Sequence, residues 1–212
     1  MRERVKPFRD RNARKIRRER WWLLGETVPA MRAALAPLPR YIAGTATGKR
    51  ILFAWCDPWT CPSNATNVFA FADDYAFGIL SSSAHSAWAW LQSSTLRTDI
   101  RYTPTTAFET FPWPSPVAPA ARAEVGELAA ALVALRSGIC TAEGFGLTRL
   151  YNLVDDGAYA DLADVHRRLD TAVTRAYGWP AAAARDPDET NRRLLAQNQE
   201  ITRGGRTYEP FA

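Results

Sequence analysis

The 212 residues are 47% apolar and 23% charged, which suits a folded protein, argues against wholesale disorder, and leaves room for one large domain or two small ones. The basic residues crowd the beginning: residues 1–50 hold 14 Lys and Arg against 4 Asp and Glu, a balance of +10, so the remainder carries −5 of the total +5. The longest purely apolar run, Leu128 to Leu135, is too short to span a bilayer, and Trp21-Trp22-Leu23-Leu24 is cut off at Gly25-Glu26 before it could form the core of a signal peptide.

In chain order, residues 1–20 are expected to form a basic arm, helical after Pro7 and polar almost all round; such a helix needs a partner or a polyanion to hold it. A short helix from Val28 to Leu35 ends before Pro37 and Pro39. Strand patterns follow at Arg40 to Ala43, Lys49 to Cys56 and Asn67 to Phe71, with a turn over Gly44 to Gly48. A turn at Asp73-Asp74 leads into a further strand, Tyr75 to Leu80, and the set reads as an antiparallel meander. Ser81, Ser82 and Ser83 offer caps to a helix striped by Ala84, Ala87, Trp88 and Leu91. Residues 95–113 read as irregular or extended. Pro112, Pro114 and Pro116 then read as a stiff linker and a domain boundary.

Beyond that boundary the apolar spacing is helical. Val125, Leu128, Leu132 and Leu135 line a helix ending near Gly138. Leu147, Leu150, Tyr151 and Val154 line a second, and Leu162, Val165, Leu169 and Val173 a third, closed by Gly178 and Pro180. A polar helix from Asp188 to Thr202 and a loose tail after Gly204-Gly205 complete the chain. The expected fold class is α+β: a small antiparallel-sheet domain with helices over residues 21–114, an all-helical domain over 115–180, and a polar helix with loose tail over 181–212. Seven of the eight tryptophans precede residue 114, so the two parts are expected to have different cores.

Several chemical motifs fail on inspection. Gly44 to Arg50 imitates a phosphate-binding loop, but its spacing is one short and Arg50 stands where the magnesium-holding hydroxyl belongs, so a turn is the better reading. Gly144-Phe145-Gly146 lacks a third glycine and follows no strand. His85 and His166 have no Cys or His at ligand spacing and read as helix-surface or cap residues. Cys56, Cys61 and Cys140 form neither an even set nor a metal pattern, and with no export signal they read as reduced thiols of a cytoplasmic chain with no membrane partner.

A series of segments occurs in a telling order. Trp21-Trp22-Leu23-Leu24-Gly25-Glu26, Pro29-Ala30-Met31-Arg32 and Leu38-Pro39-Arg40-Tyr41-Ile42 come first, then Asp74-Tyr75-Ala76-Phe77-Gly78-Ile79-Leu80 and Ser83-Ala84-His85-Ser86-Ala87-Trp88. Arg101-Tyr102-Thr103-Pro104-Thr105, Glu109-Thr110-Phe111-Pro112-Trp113-Pro114, Leu150-Tyr151-Asn152, Val165-His166-Arg167-Arg168-Leu169-Asp170 and Ala176-Tyr177-Gly178-Trp179 follow. Over about residues 5–180 this resembles the C-terminal half of large bacterial adenine-N6 DNA methyltransferases of restriction–modification and phage-defence systems, including single-chain enzymes that methylate and cut. The resemblance implies a target recognition domain followed by a small helical domain, with duplex DNA as partner. The methyl-donor loop Phe-x-Gly-x-Gly and the catalytic Asn-Pro-Pro-Tyr/Phe are absent, and no Asn-Pro dipeptide occurs. S-adenosylmethionine is therefore expected on a methyltransferase catalytic domain of another chain or upstream, with no cofactor and no catalytic residue here. Met1 falls where chains of that family continue, which suggests a split gene, a truncated gene or a misplaced start.

The expected division of labour on DNA follows from side-chain chemistry. Arg9, Arg11, Arg14, Lys15, Arg17 and Arg18 of the arm are dense and unpatterned, as phosphate contacts are. Arg40, Lys49 and Arg50 sit at strand ends beside a glycine turn and join that set. Arg97, Asp99 and Arg101 alternate, so an extended chain would point all three to one face; with Tyr102 they are the candidates for reading bases. The bland alternative is a surface strand with internal Arg–Asp pairing. Trp59, Asn64 and Asn67 are weaker candidates. The rival readings of the whole are a sequence-independent nucleic-acid binder, a small stand-alone enzyme and an inactive truncated remnant.

Overall fold

The computed structural model describes residues 2–23, 28–205 and 207–211. Met1, on which the reading of the chain start rests, Leu24, Gly25 and Glu26 of the resemblance, Thr27, Arg206 and Ala212 lie outside the described residues. The chain divides into two compact units, residues 1–37 and 38–212.

The first unit is helical. α1 (Arg2–Asp10) begins well before Pro7, which it contains, and α2 spans Lys15–Glu19. Proline at the sixth helical residue removes the N–H that would bond the carbonyl of Glu3, and its ring crowds that carbonyl. Glu3 in the first turn and Arg9 in the last suit the helix dipole, and Lys6 pairs with Asp10 at 2.7 Å. Asn12 separates the two helices, its side chain accepting from the Arg14 N–H at 3.0 Å. α3 (Pro29–Leu35) starts on proline and stops before Pro37, close to the expected bounds.

The second unit is built on two three-stranded sheets. β1 (Tyr41–Thr45), β3 (Phe53–Cys56) and β4 (Thr66–Phe69) form one, in the order β3-β1-β4. β2 (Thr47–Gly48), β5 (Ser94–Leu96) and β6 (Asp99–Arg101) form the other, in the order β2-β6-β5. All pairings are antiparallel, but β1 lies central, so the arrangement is not a meander. Nor is Gly44 to Gly48 a tight turn: β1 ends at Thr45, the chain bends at Ala46, and β2 begins at Thr47 in the other sheet. The Ala46 N–H bonds Ala65 and its carbonyl accepts from Tyr102, so one residue joins both ladders. β-branched Thr45 and Thr47 favour the strands on either side. Gly44 is needed because a Cβ there would sit 2.9 Å from the Phe53 ring.

The expected strand at Tyr75 to Leu80 is a helix, α4 (Asp74–Leu80), capped by Asp73, whose side chain accepts from the Ala76 N–H at 2.9 Å. Tyr75 to Leu80 are all buried, so the run carries no alternation, and periodicity alone cannot separate a buried strand from a buried helix. α5 (Ser83–Gln92) follows, with Ser82 as the cap. Its buried face is Ala84, His85, Trp88 and Ala89; Leu91, expected inside, is exposed.

The Pro-rich stretch is not a free linker but packs within the second unit. Phe111 and Trp113 are buried in the core shared by the sheets and helices. Its carbonyls, which prolines keep out of any ladder, are met by side chains: Gln197 donates to Trp113 O at 3.0 Å, Asn198 to Thr110 O at 2.7 Å and Tyr177 to Pro112 O at 3.0 Å. Three helices then span α6 (Pro119–Glu143), α7 (Leu147–Asp155) and α8 (Ala160–Ala176), on the apolar positions expected. α6 runs past Gly138 to a left-handed Gly144 at φ +67°, because Ile139 and Cys140 continue its packed face. By length and composition α6 could cross a bilayer, unlike its uninterrupted apolar run; it packs against α4 and α8 through Val125, Leu128, Ala129 and Leu132. α9 (Pro187–Thr202) is polar in composition yet buries Thr190, Leu194 and Gln197, and Asp186 caps it. The tail beyond is tied down, since Tyr208 accepts from the Trp113 N–H at 2.8 Å.

Candidate nucleic-acid interface

β5 and β6 form a tight hairpin in which Leu96 opposes Asp99 and Ser94 opposes Arg101, while Thr47 flanks Arg101 on the other side. Residues paired across an antiparallel ladder share a face. One face of this small sheet therefore carries Thr47, Ser94, Leu96, Asp99 and Arg101, and the other carries Ile100, which is fully buried. Burial of Ile100 fixes the register, because a slip by one residue would turn Arg101 inward.

Arg97 does not share the strand with Asp99 and Arg101 as expected. It occupies the hairpin turn with φ +59°, since two residues between antiparallel strands require left-handed backbone. Arg97 and Arg101 are exposed and Asp99 is half-buried. Among the described residues none of the three makes an ion pair, so the internal Arg–Asp pairing of the bland reading is not formed.

Tyr102 is displaced from the base-reading set. It is buried against Phe69, and its hydroxyl meets His85 Nε2 at 3.1 Å. His85 is correspondingly a core residue rather than a surface or cap residue. Its Nδ1 lies 2.9 Å from the Leu80 carbonyl, which can only accept, so Nδ1 carries the proton and Nε2 accepts from Tyr102. Burial without a charged partner lowers the His85 pKa to about 4 and raises that of the Tyr102 phenol. His166 has likewise turned inward, with Nε2 2.8 Å from the Tyr151 hydroxyl and a pKa lowered to about 4 by burial and by the nearby Arg136.

The cations assigned to phosphate fall into two groups. Arg40 lies 3.7 Å over the Trp55 ring, donates to Ala72 O at 2.9 Å and pairs with Asp74 at 2.9 Å. Lys49 pairs with Asp155 at 3.0 Å, and Arg50 pairs with the same carboxylate and with Asn152. These three join strands to helices and are engaged within the fold. In the arm, Lys15 lies 3.7 Å from Glu19 and Arg18 donates to the carbonyls of Asn12 and Ala13 at 2.8 and 3.0 Å. Arg9, Arg11, Arg14 and Arg17 have no ion pair among the described residues. Trp59 is 94% exposed in the loop between β3 and β4, Asn64 is exposed there, and Asn67 belongs to β4 opposite Gly44. Thr47 and Ser94 escape sequence reasoning: only the cross-strand register brings their hydroxyls beside Arg101. Among the described residues no cluster of His, Cys, Asp and Glu could hold a metal.

In comparison with known proteins, residues 45–115 match a family model described as "MmeI, target recognition domain". The fold of the chain also matches that of a solved structure, the Type IIL restriction-modification enzyme MmeI in complex with DNA, with a TM-score of 0.71 and 23% identity over 95% of this chain and 26% of that one. DNA methyltransferase A of Bacillus subtilis (strain 168) is 32% identical over 118 residues, 56% of this chain and 13% of that protein. The chain thus spans a small part of the larger proteins it matches.

Proposed function

We propose that the chain reads a duplex DNA target on behalf of an adenine-N6 methyltransferase of restriction–modification or phage defence. The observation that carries this reading is the unpaired set Arg97, Asp99 and Arg101 on a hairpin inside the stretch that matches the target recognition domain model. Arginine donates in fork geometry to guanine, aspartate accepts from the cytosine amine, and the Thr47 and Ser94 hydroxyls can do either. Arm cations Arg9, Arg11, Arg14, Lys15, Arg17 and Arg18 supply phosphate contacts, which position but do not discriminate. Arg40, Lys49 and Arg50 serve the fold.

Methyl transfer belongs to a catalytic domain on another chain or upstream, in the cytoplasm where the DNA is. The residues here do not fit S-adenosylmethionine. Gly44 and Gly48 lie within strands, Gly144 and Gly146 join two helices, and no Asn-Pro carbonyl is available to polarise an adenine amine. Calorimetric titration of the chain with S-adenosylmethionine should accordingly give no stoichiometric heat.

The reading is tested by selecting from a randomised duplex library with the intact chain. One enriched sequence, lost in Arg101→Ala, is the expected result. Retention without enrichment would indicate a general nucleic-acid binder, and no retention at low salt would overturn DNA reading by this chain.

A further inference from the structure

A cleft of about 420 Å³ opens between the α4–α5 junction and helices α6, α7 and α8, away from the hairpin residues just described. Its walls are largely apolar, with Ile51, Leu52, Leu80 and Val154 prominent. Arg136 of α6 lines it and is only 4% exposed. A guanidinium stays charged at every physiological pH, and a buried charge ordinarily has a carboxylate beside it. Arg136 has none: among the described residues it makes no ion pair, and its partners are neutral, the Phe53 carbonyl at 2.5 Å and the Tyr151 side chain. The face of Phe77, 5.1 Å away, supplies part of the compensation.

The other charged groups around the cleft are occupied. Asp170 accepts from the Ser83 N–H at 2.6 Å, Arg50 is held by Asp155, and Arg167 by Asp164 at 2.9 Å. A second signal comes from Ser81, whose hydroxyl is buried on the same wall with no hydrogen-bond partner among the described residues. A guanidinium with no carboxylate partner and a serine whose buried hydroxyl has no hydrogen-bond partner therefore both line one largely apolar cleft.

We propose that this cleft is a binding site for a small molecule carrying one carboxylate on an apolar body, with the carboxylate on Arg136 and Ser81 and the body against Ile51, Leu52, Leu80 and Val154. The fork of a guanidinium matches a carboxylate, and the volume is that of a small-ligand pocket. The site does not depend on DNA reading and would stand if that reading failed.

The test is calorimetric titration of the full chain with benzoate, with benzamide as its uncharged match and inorganic phosphate as an anion without an apolar body. Benzoate should bind, and benzamide and phosphate should each bind at least about tenfold more weakly. Arg136→Met should weaken benzoate at least about tenfold while removing an uncompensated buried charge from the fold, and Arg136→Lys should restore part of the binding. If Arg136→Met does not fold, Ser81→Val, which fills the wall and sacrifices no hydrogen bond, should block benzoate with the fold intact. Equal binding of benzoate and benzamide, undiminished binding in both variants, or no heat with benzoate would overturn the proposal.

Discussion

Arg97 and the two histidines show how a single backbone or ring environment sets a testable property. Arg97 is held at φ +59°, where a side chain costs roughly 1 kcal/mol that glycine does not incur. Arg97→Gly should therefore raise the urea midpoint slightly while weakening binding to a preferred duplex. Arg97→Ala should weaken binding without that gain. A protein that used Arg97 only to build the turn would bind DNA equally well in both variants. His85 and His166 both have pKa values lowered to about 4, against 6.5 in an unfolded chain. Between those values the unfolded state binds more protons, so stability is fully present above pH 6.5 and is lost as pH falls toward 4. For the fully buried His85 the loss is on the order of 3 kcal/mol at the acid end of that window. Urea midpoints should fall between pH 7 and pH 4.5, and His166→Gln should flatten part of the fall. A midpoint that did not move would mean that neither imidazole is kept neutral by burial.

The elements that sequence reasoning placed well are those with one buried face and a sharp stop. α7 and α8 show apolar residues at 3.6-residue spacing, and α3 is closed by Pro37. α4 was illegible as a helix because it is buried on every side, and the information that decides it lies in its cap and its neighbour. Gly78 packs so closely on α6 that a Cβ would stand 2.7 Å from Val125 Cγ1 and 3.1 Å from the Val125 carbonyl oxygen. Gly78→Ala should cost about 1–3 kcal/mol by overpacking, even though alanine is the better helix former. Removing the cap in Asp73→Ala should cost about 1 kcal/mol. Both are read from thermal or urea unfolding, and a stabilised Gly78→Ala would mean that α4 and α6 do not meet as described. The hairpin was half legible. The alternation of Arg97, Asp99 and Arg101 marked the right stretch, but their faces depend on a turn at Arg97 and on pairing with Thr47, a partner 54 positions away from Arg101. The packing of the Pro-rich stretch is illegible for a related reason: its stiffness is local, whereas the side chains that satisfy its carbonyls come from Tyr177, just after α8, and from α9.

At the scale of the molecule, the positive charge is unevenly spread along the chain. The first 50 residues hold the +10 balance, but Arg40, Lys49 and Arg50 are engaged within the second unit, whereas Arg9, Arg11, Arg14 and Arg17 of the arm make no ion pair among the described residues. If about six arm cations each displace a counterion from duplex DNA, log affinity should fall with log salt at a slope of roughly −5. Deleting residues 1–20 should flatten that slope and leave any preference between duplexes in place. Arg101→Ala should do the reverse, losing about 1–3 kcal/mol on the preferred duplex and much less on a scrambled one, with the slope nearly kept. Lys49→Ala should change neither, because its partner in the free protein is Asp155 rather than solvent. The measurement is binding of the four proteins to both duplexes across a salt series. Equal weakening of both duplexes by Arg101→Ala would move that residue into the phosphate set. A flattened slope in Lys49→Ala would show that Asp155 gives way to DNA. The two roles separate in this experiment because a phosphate is the same at every base pair, whereas the edge that an arginine fork meets in the groove is not.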